Sequence, residues 1–183
     1  MECIIKRNII RLLVYDLKEV YVTLSDFDRD CMAKAIALAI ETEKAGNLPI
    51  GAVIAYRQEI ITVGKNTIWQ PGTSLHRHAE MEALMALPQP LVQYTSEMTL
   101  YTTLEPCLMC MGAILLYGIG RVLYGSRDNF GGADTVIHTL PPFFRKQIKE
   151  TEWIGPAYPG ECDVLFKRIQ THEEMRKLGM HPE

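Results

Sequence analysis

The first strong pattern in the chain is an apolar stripe with the 3.6-residue period of a helix. Its members are Phe27, Cys31, Ala35 and Leu38. Ser25, with Asp28 three residues later, predicts a capping box at the start of this helix. Gly46 is a suitable residue for its end, since glycine tolerates the left-handed conformation found there. The pattern therefore predicts one amphipathic helix that packs on the core.

Shorter stretches have the composition of β-strands. They cover residues 50–56, 59–64, 98–104, 121–124 and 152–154. The first two are separated by two residues, which predicts a hairpin with a tight turn. Because strands alternate with helices along the chain, we predict an α/β layered domain. The hairpin makes the sheet mixed, with an antiparallel edge.

Two further helices are predicted between these strands. One begins at His78, and its apolar run is stopped by Pro88. The other covers residues 107–117 and follows Pro106, a residue that is well tolerated in a first helical turn. This second helix is apolar all round, which predicts that it is buried on every side.

The rest of the chain gives weaker signals. A short helix is predicted from Pro142 and a C-terminal helix over 161–178, whereas the loop 126–134, with two adjacent glycines, is predicted to be mobile. No repeat or linker divides residues 25–183, so we expect a single domain there. Residues 1–24 are predicted to be an N-terminal extension, and the sequence assigns it no role.

Composition excludes some classes of protein. The chain has 183 residues, a hydrophobic fraction of 48% and a net charge of −3, which is ordinary for a globular domain and gives no overall attraction to nucleic acid or membrane. No apolar run reaches the length of a membrane span, and charges interrupt the first 20 residues, so a secretory signal is not expected. The five cysteines show no pairing pattern, which favours reduced thiols in a cytoplasmic protein.

Two short motifs carry the candidate chemistry, His78-Ala79-Glu80 and Pro106-Cys107-Leu108-Met109-Cys110. Zinc takes imidazole and thiolate ligands, and two cysteines three residues apart share one face of a helix. Three protein ligands leave a fourth position for water, whose pKa zinc lowers to about 7. Glu80 can carry the proton of that water. This arrangement predicts hydrolytic attack on an amidine-like carbon with loss of ammonia.

Two other interpretations of the motifs stay open from the residues alone. A structural zinc site needs four protein ligands, and the fourth could come from His76, His138 or Cys162. A CxxC motif that follows a strand and opens a helix is also found in thioredoxin-like redox proteins. The paired His-x-Glu motif favours the catalytic zinc site over both.

A wider set of motifs resembles the cytidine deaminase-like superfamily. They are residues 48–54, Gly64-Lys65-Asn66, His78-Ala79-Glu80 and residues 102–114. The resemblance is greatest to the branch of tRNA adenosine deaminases, bacterial guanine deaminases and fungal-type cytosine deaminases. It implies a three-layer α/β/α sandwich around a five-stranded sheet, often as a homodimer.

The resemblance also implies roles for single residues. One Zn²⁺ ion per chain would be held by three ligands: His78, Cys107 and Cys110. Glu80 matches the proton shuttle of the family, and Asn66 matches an asparagine that hydrogen-bonds the substrate. Ala79 would contribute its backbone N–H to the substrate.

One departure from the family pattern bears on the substrate. The branch commonly carries Asp-Pro-Thr shortly before its His-Ala-Glu, where this chain has Gly72-Thr73-Ser74-Leu75-His76-Arg77 instead. We favour a free nucleobase, nucleoside or related small heterocycle as substrate, because the charges after Pro159 are nearly balanced and offer little to a phosphate backbone. A tRNA adenosine is the alternative substrate. A non-catalytic, zinc-stabilised binding module is the third hypothesis.

Overall fold

A computed structural model describes residues 9–14, 18–172 and 177, with side chains from Thr23 onward. The elements in chain order are β1 (Ile9–Val14), β2 (Lys18–Thr23), α1 (Asp26–Lys44), β3 (Gly51–Tyr56), β4 (Glu59–Lys65), α2 (Ala79–Met85), β5 (Thr99–Leu104), α3 (Leu108–Tyr117), β6 (Arg121–Ser126), α4 (Pro142–Glu150), β7 (Glu152–Ile154) and α5 (Pro159–Gln170). Two 3₁₀ segments, Gln89–Glu97 and Ala133–Thr139, complete the set.

The main sheet has five strands in the order β4-β3-β5-β6-β7. β3 is antiparallel to both β4 and β5, whereas β5, β6 and β7 run parallel to one another. Helices cover both faces of this sheet, with α1 and α5 on one side and α2, α3 and α4 on the other. The predicted α/β sandwich with a mixed five-stranded sheet is confirmed.

The alternation of side chains along the strands builds two cores. On β3, Val53 faces the α1 layer, and Ala52 and Ile54 face the α2 layer. The same alternation on β5 sends Tyr101 and Leu100 to opposite sides. Because successive side chains of a strand point to opposite faces, a strand covered on both sides must be apolar throughout.

The predicted capping box at the start of α1 is present. Ser25 Oγ accepts from the N–H of Asp28 at 3.0 Å, and Asp28 Oδ2 accepts from the N–H of Ser25 at 2.8 Å. The helix ends at Lys44 and is followed by Gly46, whose φ is +84°, in the left-handed region that glycine favours. The boundaries of α1 therefore follow directly from the local sequence.

Two glycines allow helices to approach the sheet closely. A Cβ at Gly51 of β3 would collide with the backbone carbonyl of Ala35 in α1. A Cβ at Gly64 of β4 would collide with the carbonyl of Ala79, the first residue of α2. The start of α2 thus lies directly against β4.

The structure corrects two predictions about helices. The helix over 107–117 is not buried on every side, because Leu108 and Leu116 of α3 are 57% and 64% exposed. α5 ends at Gln170, so residues 171 and 172 of the predicted C-terminal helix are not helical. The rest of the predicted range, apart from residue 177, lies outside the described residues. Hydrophobicity gave no signal for either feature, since exposed and buried apolar residues look alike in a sequence.

Part of the N-terminal extension forms a separate element. β1 and β2 pair antiparallel in a two-stranded sheet, with Ile9 opposite Thr23. No strand or helix was predicted for this stretch. Across the part of the chain that the structure describes, no helix has the length and apolar character needed to span a bilayer.

A buried polar cluster joins the start of α1 to the sheet. Asp28 Oδ1 accepts from Tyr101 Oη at 2.8 Å and from Arg121 at 2.5 Å, and Ser25 donates to Oδ2. Burial alone would raise the pKa of Asp28, but the hydrogen bonds from Arg121, Ser25 and Tyr101 outweigh it and hold the pKa below its usual value. The ionised carboxylate is therefore the form that the folded state prefers.

We expect Asp28→Asn to lower the free energy of unfolding by about 2–3 kcal/mol near pH 7, since hydrogen bonds to a charged group are lost. A carboxyl whose pKa is lower in the folded than in the unfolded state stabilises the fold at pH values above its unfolded pKa of about 4. This stabilisation is lost as the pH falls from about 4 through the folded pKa. Denaturant titrations near pH 7 and near pH 3 measure the difference. An equal loss of unfolding free energy at both pH values would contradict this assignment. The control is Asp30→Asn, which changes an exposed carboxyl of the same helix.

Candidate metal centre

The start of α2 and the start of α3 bring three metal-binding side chains together. His78 is the N-cap of α2 and Cys107 is the N-cap of α3, and neither side chain makes a capping hydrogen bond. Cys110 lies one turn into α3 and is fully buried. The ligand atoms of these three residues all lie within 4.8 Å of one another.

The distances within this group fit one tetrahedral zinc ion. Sγ of Cys107 lies 3.7 Å from Nδ1 of His78, and Sγ of Cys110 lies 3.6 Å from the same nitrogen. Zinc bonds of about 2.3 Å to sulfur and about 2.0–2.1 Å to nitrogen, at a tetrahedral angle, place sulfur and nitrogen about 3.6 Å apart. The donor set and its spacing therefore suit zinc.

The structure does not bring a fourth ligand to this group. Among the described residues, the cluster that could share one ion consists of His78, Cys107 and Cys110 alone. Cys162 lies in the core between α1 and α5, on the other face of the sheet. His76 is exposed, and its Nδ1 lies 3.3 Å from Oγ of Ser74. A three-ligand set is typical of catalytic rather than structural zinc.

The electrostatics favour a thiolate at Cys107, and the thiolate is the form of cysteine that binds zinc. Hydrogen bonding from Cys110, together with that from His78, outweighs burial and lowers the pKa of Cys107 to about 4. As an N-cap, Cys107 also lies at the positive end of the α3 dipole.

Glu80 lies beside the metal group and is 3% exposed. Its Oε1 accepts from Thr102 Oγ1 at 2.9 Å, and its Oε2 lies 3.6 Å from Sγ of Cys110. Burial raises the pKa of Glu80 above its usual value. A carboxyl of this kind both accepts and releases protons more readily near neutral pH than an exposed one does.

The two predicted substrate contacts lie at the end of β4 and at the start of α2. Asn66 is fully buried and follows β4; its Oδ1 accepts from the N–H of Ile68 at 3.3 Å, but its Nδ2 has no hydrogen-bond partner among the described residues. Thr42 fixes the backbone of Asn66 by donating to its carbonyl at 2.5 Å. Ala79 is the first residue of α2, so its N–H has no acceptor within the helix.

Two contacts that support the site had no signal in the sequence. Thr102 of β5 holds Glu80, although a threonine in a strand is ordinary. Arg77 forms a bidentate pair with Glu82, with Nε and Nη2 both 2.9 Å from the carboxylate oxygens, and so fixes the residue before His78. The Thr102–Glu80 contact joins residues that are distant in the chain, and the Arg77–Glu82 pair depends on side-chain directions. Residue spacing reveals neither.

Three side chains that could hold a zinc ion at the starts of two adjacent helices, with a buried carboxylate beside them, fit the class of zinc-dependent hydrolases. The family model for the cytidine and deoxycytidylate deaminase zinc-binding region matches residues 25–126. The chain belongs to this family, and the prediction of zinc as its cofactor is confirmed.

Similar proteins include curated relatives and a solved structure. The tRNA-specific adenosine deaminase of Bacillus subtilis is 37% identical over 147 residues, which cover 80% of this chain and 89% of that protein. The tRNA-specific adenosine deaminase 2 of Danio rerio is 35% identical over 114 residues, or 58% of this chain, and the match spans only about half of that protein, 53%. A structure from a study of A-to-I editing by tRNA:A34 deaminases has a TM-score of 0.56 at 30% identity, covering 62% of this chain and 90% of that one.

Proposed function

We propose that this chain is a zinc-dependent hydrolase that removes an exocyclic amino group from a nucleobase as ammonia. The observation that carries the proposal is the buried Glu80 carboxyl beside a three-ligand zinc group, with Oε2 3.6 Å from Sγ of Cys110. Burying a carboxyl is costly, and proton transfer in a hydrolytic deamination gives this one a role that a non-catalytic zinc module would not use.

Proton transfer in the reaction falls to Glu80. When bound, zinc supplies the Lewis acidity that makes water a nucleophile near neutral pH. Glu80 takes a proton from the attacking water and delivers it to the ring nitrogen next to the reacting carbon. It then takes the second proton from the newly formed C–OH group and gives it to the amino group, which leaves as ammonia while the C–OH becomes a carbonyl. Thr102 holds Oε1 at 2.9 Å and so fixes the rotation of the carboxyl.

Substrate binding is assigned to Asn66 and Ala79. The unpaired Nδ2 of Asn66 is a buried donor, and leaving such a donor without a partner costs about 1–3 kcal/mol, which a substrate acceptor would restore. The free N–H of Ala79 at the start of α2 offers a second donor. Together they select a heterocycle that presents acceptor atoms beside its amino group.

A small base or nucleoside is the substrate that the surface charges favour. The seven arginines with described side chains are Arg29, Arg57, Arg77, Arg121, Arg127, Arg145 and Arg168. Six of them pair with a carboxylate of the same chain, and Arg145 donates to the carbonyl of Leu140. Arginines that are already neutralised contribute little to binding a phosphate backbone.

An adenosine in tRNA is the second candidate substrate. The relatives from Bacillus subtilis and Danio rerio, at 37% and 35% identity, are tRNA-specific adenosine deaminases. The chemistry of the site would be the same, because a target base in RNA is turned out of its stack into a comparable pocket. Ammonia release from free bases, nucleosides and a tRNA anticodon stem, measured in parallel, separates the two candidates.

We expect Glu80→Gln to lower kcat/KM by about 10²–10⁴-fold on whichever substrate is accepted, because the proton carrier is removed. Zinc content, measured by elemental analysis, should stay near one ion per chain. Exposed Glu59→Gln is the matched control and should retain full activity. Full turnover by Glu80→Gln would exclude Glu80 as the proton carrier, and a wild-type protein that binds zinc but releases no ammonia from any substrate would favour the binding module.

The homodimer implied by the family resemblance has a candidate surface on α3. Leu108, Gly112 and Leu116 lie at intervals of four residues and therefore along one stripe of the helix. Leu108 and Leu116 are 57% and 64% exposed, and a Cβ at Gly112 would meet nothing within 4 Å. We propose that a second copy of the chain covers this stripe, since apolar side chains grouped in this way mark interfaces.

Leu116→Glu should convert the dimer into a monomer, because a charge at the centre of an apolar interface cannot be desolvated without a partner. Light scattering after size exclusion measures the mass of each species. Val164→Glu changes an exposed apolar residue of α5, on the other face of the sheet, and should leave the dimer intact. A monomeric wild-type protein would contradict the assignment.

A further inference from the structure

Residues 127–134, called the loop here, run from the end of β6 into the first turn of the second 3₁₀ segment and have an internal network of hydrogen bonds. Asp128 Oδ1 accepts from the N–H groups of Phe130 and Gly131, at 2.9 Å each. The N–H of Gly132 donates to the carbonyl of Asp128 at 3.0 Å. These bonds define the shape of the loop, but they do not attach it to the rest of the protein.

Glu105 provides that attachment. It is 3% exposed, and its two carboxylate oxygens accept from opposite ends of the loop. Oε2 accepts from the N–H of Asp128 at 3.0 Å, and Oε1 accepts from the N–H of Asp134 at 2.9 Å. A buried carboxylate needs such donors, and hydrogen bonds to an ionised acceptor are stronger than neutral ones.

The attachment extends to the metal centre, because Glu105 lies two residues before Cys107. The N–H of Ala133 donates to the carbonyl of Pro106 at 3.0 Å. Cys107 and Gly132 form an antiparallel bridge. The loop therefore runs along the turn that presents one of the metal ligands.

Gly132 shows how closely the loop approaches Glu105. Its φ of −69° is available to every residue, so backbone conformation does not require glycine here. A Cβ at this position would collide with Oε1 of Glu105 and with the carbonyl of Asp128. Glycine is needed because there is no space for a side chain.

The far end of the loop is fixed by the side chain of Asp134. Its carboxylate accepts from Tyr124 Oη at 2.6 Å and from Trp153 Nε1 at 2.7 Å, which ties it to β6 and β7. Phe130 in the middle of the loop is 56% exposed and makes no comparable anchor. Both ends of the loop are thus held, and its centre faces outward.

We propose that Glu105 is a positioning residue that holds loop 127–134 against the turn carrying Cys107, so that the loop forms a fixed rim of the metal centre. Its effect on substrate rests on the proposed deaminase function, whereas the attachment itself does not. A rim that is in place before the substrate arrives lowers the entropic cost of binding. Glu105 therefore acts on KM more than on the chemical step.

The test compares the wild-type protein with Glu105→Gln, in which one oxygen becomes an amide donor that faces a backbone N–H. Hydrogen exchange followed by mass spectrometry should show amides of 127–134 exchanging at least about tenfold faster, with α1 unchanged and zinc near one ion per chain. On the accepted substrate, KM should rise about tenfold while kcat changes less than about threefold. Glu59→Gln is the control and should match the wild type in every measurement.

Unchanged exchange in the loop would overturn the proposal, and so would a loss confined to kcat with KM unaltered. If the wild-type protein deaminates none of the substrates, the proposed function fails while the exchange result still decides whether Glu105 holds the loop. Gly132→Ala disturbs the same contact from the loop side and keeps the test available should Glu105→Gln not fold. If both substitutions disturb the same contact, the double variant will raise the exchange rate of the loop by less than the two single effects added together.

Discussion

The close approach of α2 to β4 at Gly64 is the constraint on which the rest of the site depends. Any side chain at Gly64 would collide with the backbone of Ala79, so the contact fixes the start of α2 against the sheet. His78 and Glu80 lie on either side of Ala79, and their positions follow from this contact. In the sheet, β5 lies on the other side of β3 from β4, and α3 follows β5. The start of α3 therefore lies near the start of α2, and the ligand atoms of Cys107 and Cys110 come within 4.8 Å of that of His78.

The local signals of the sequence were sufficient for most of the fold. The capping box of Ser25 and Asp28, the turn between β3 and β4, and the strand-to-helix sequence at Pro106 each appear where their residue types predict. These features depend on neighbours in the chain. The metal ligands were also predictable, since zinc restricts its ligands to a few residue types at short spacings.

What the sequence could not predict depends on contacts between distant residues. Thr102 supports Glu80 from β5, and Glu105 binds the loop 127–134, which glycines alone had suggested to be mobile. The exposed stripe of α3 was misjudged because exposed and buried apolar residues look alike in a sequence. The 3₁₀ segments had no periodic signal long enough to detect.

The site and the surface suggest different parts of the function. In the proposed reaction, the metal group, Glu80 and Thr102 carry the chemistry, and they would serve any base that has an amino group beside a ring nitrogen. In the proposed function, selectivity between bases falls to the surrounding loops, and the predicted departure from the family pattern lies in residues 72–77. Within that segment, Arg77 forms a bidentate pair with Glu82 and so braces the residue before His78.

X-ray absorption spectroscopy at the zinc edge tests the central claim most directly, because it counts the sulfur and imidazole ligands of the ion. A site formed by His78, Cys107 and Cys110 should give two sulfur neighbours at about 2.3 Å and two lighter neighbours at about 2.0–2.1 Å, with multiple scattering from a single imidazole. A third sulfur, a second imidazole or the absence of bound zinc would contradict it.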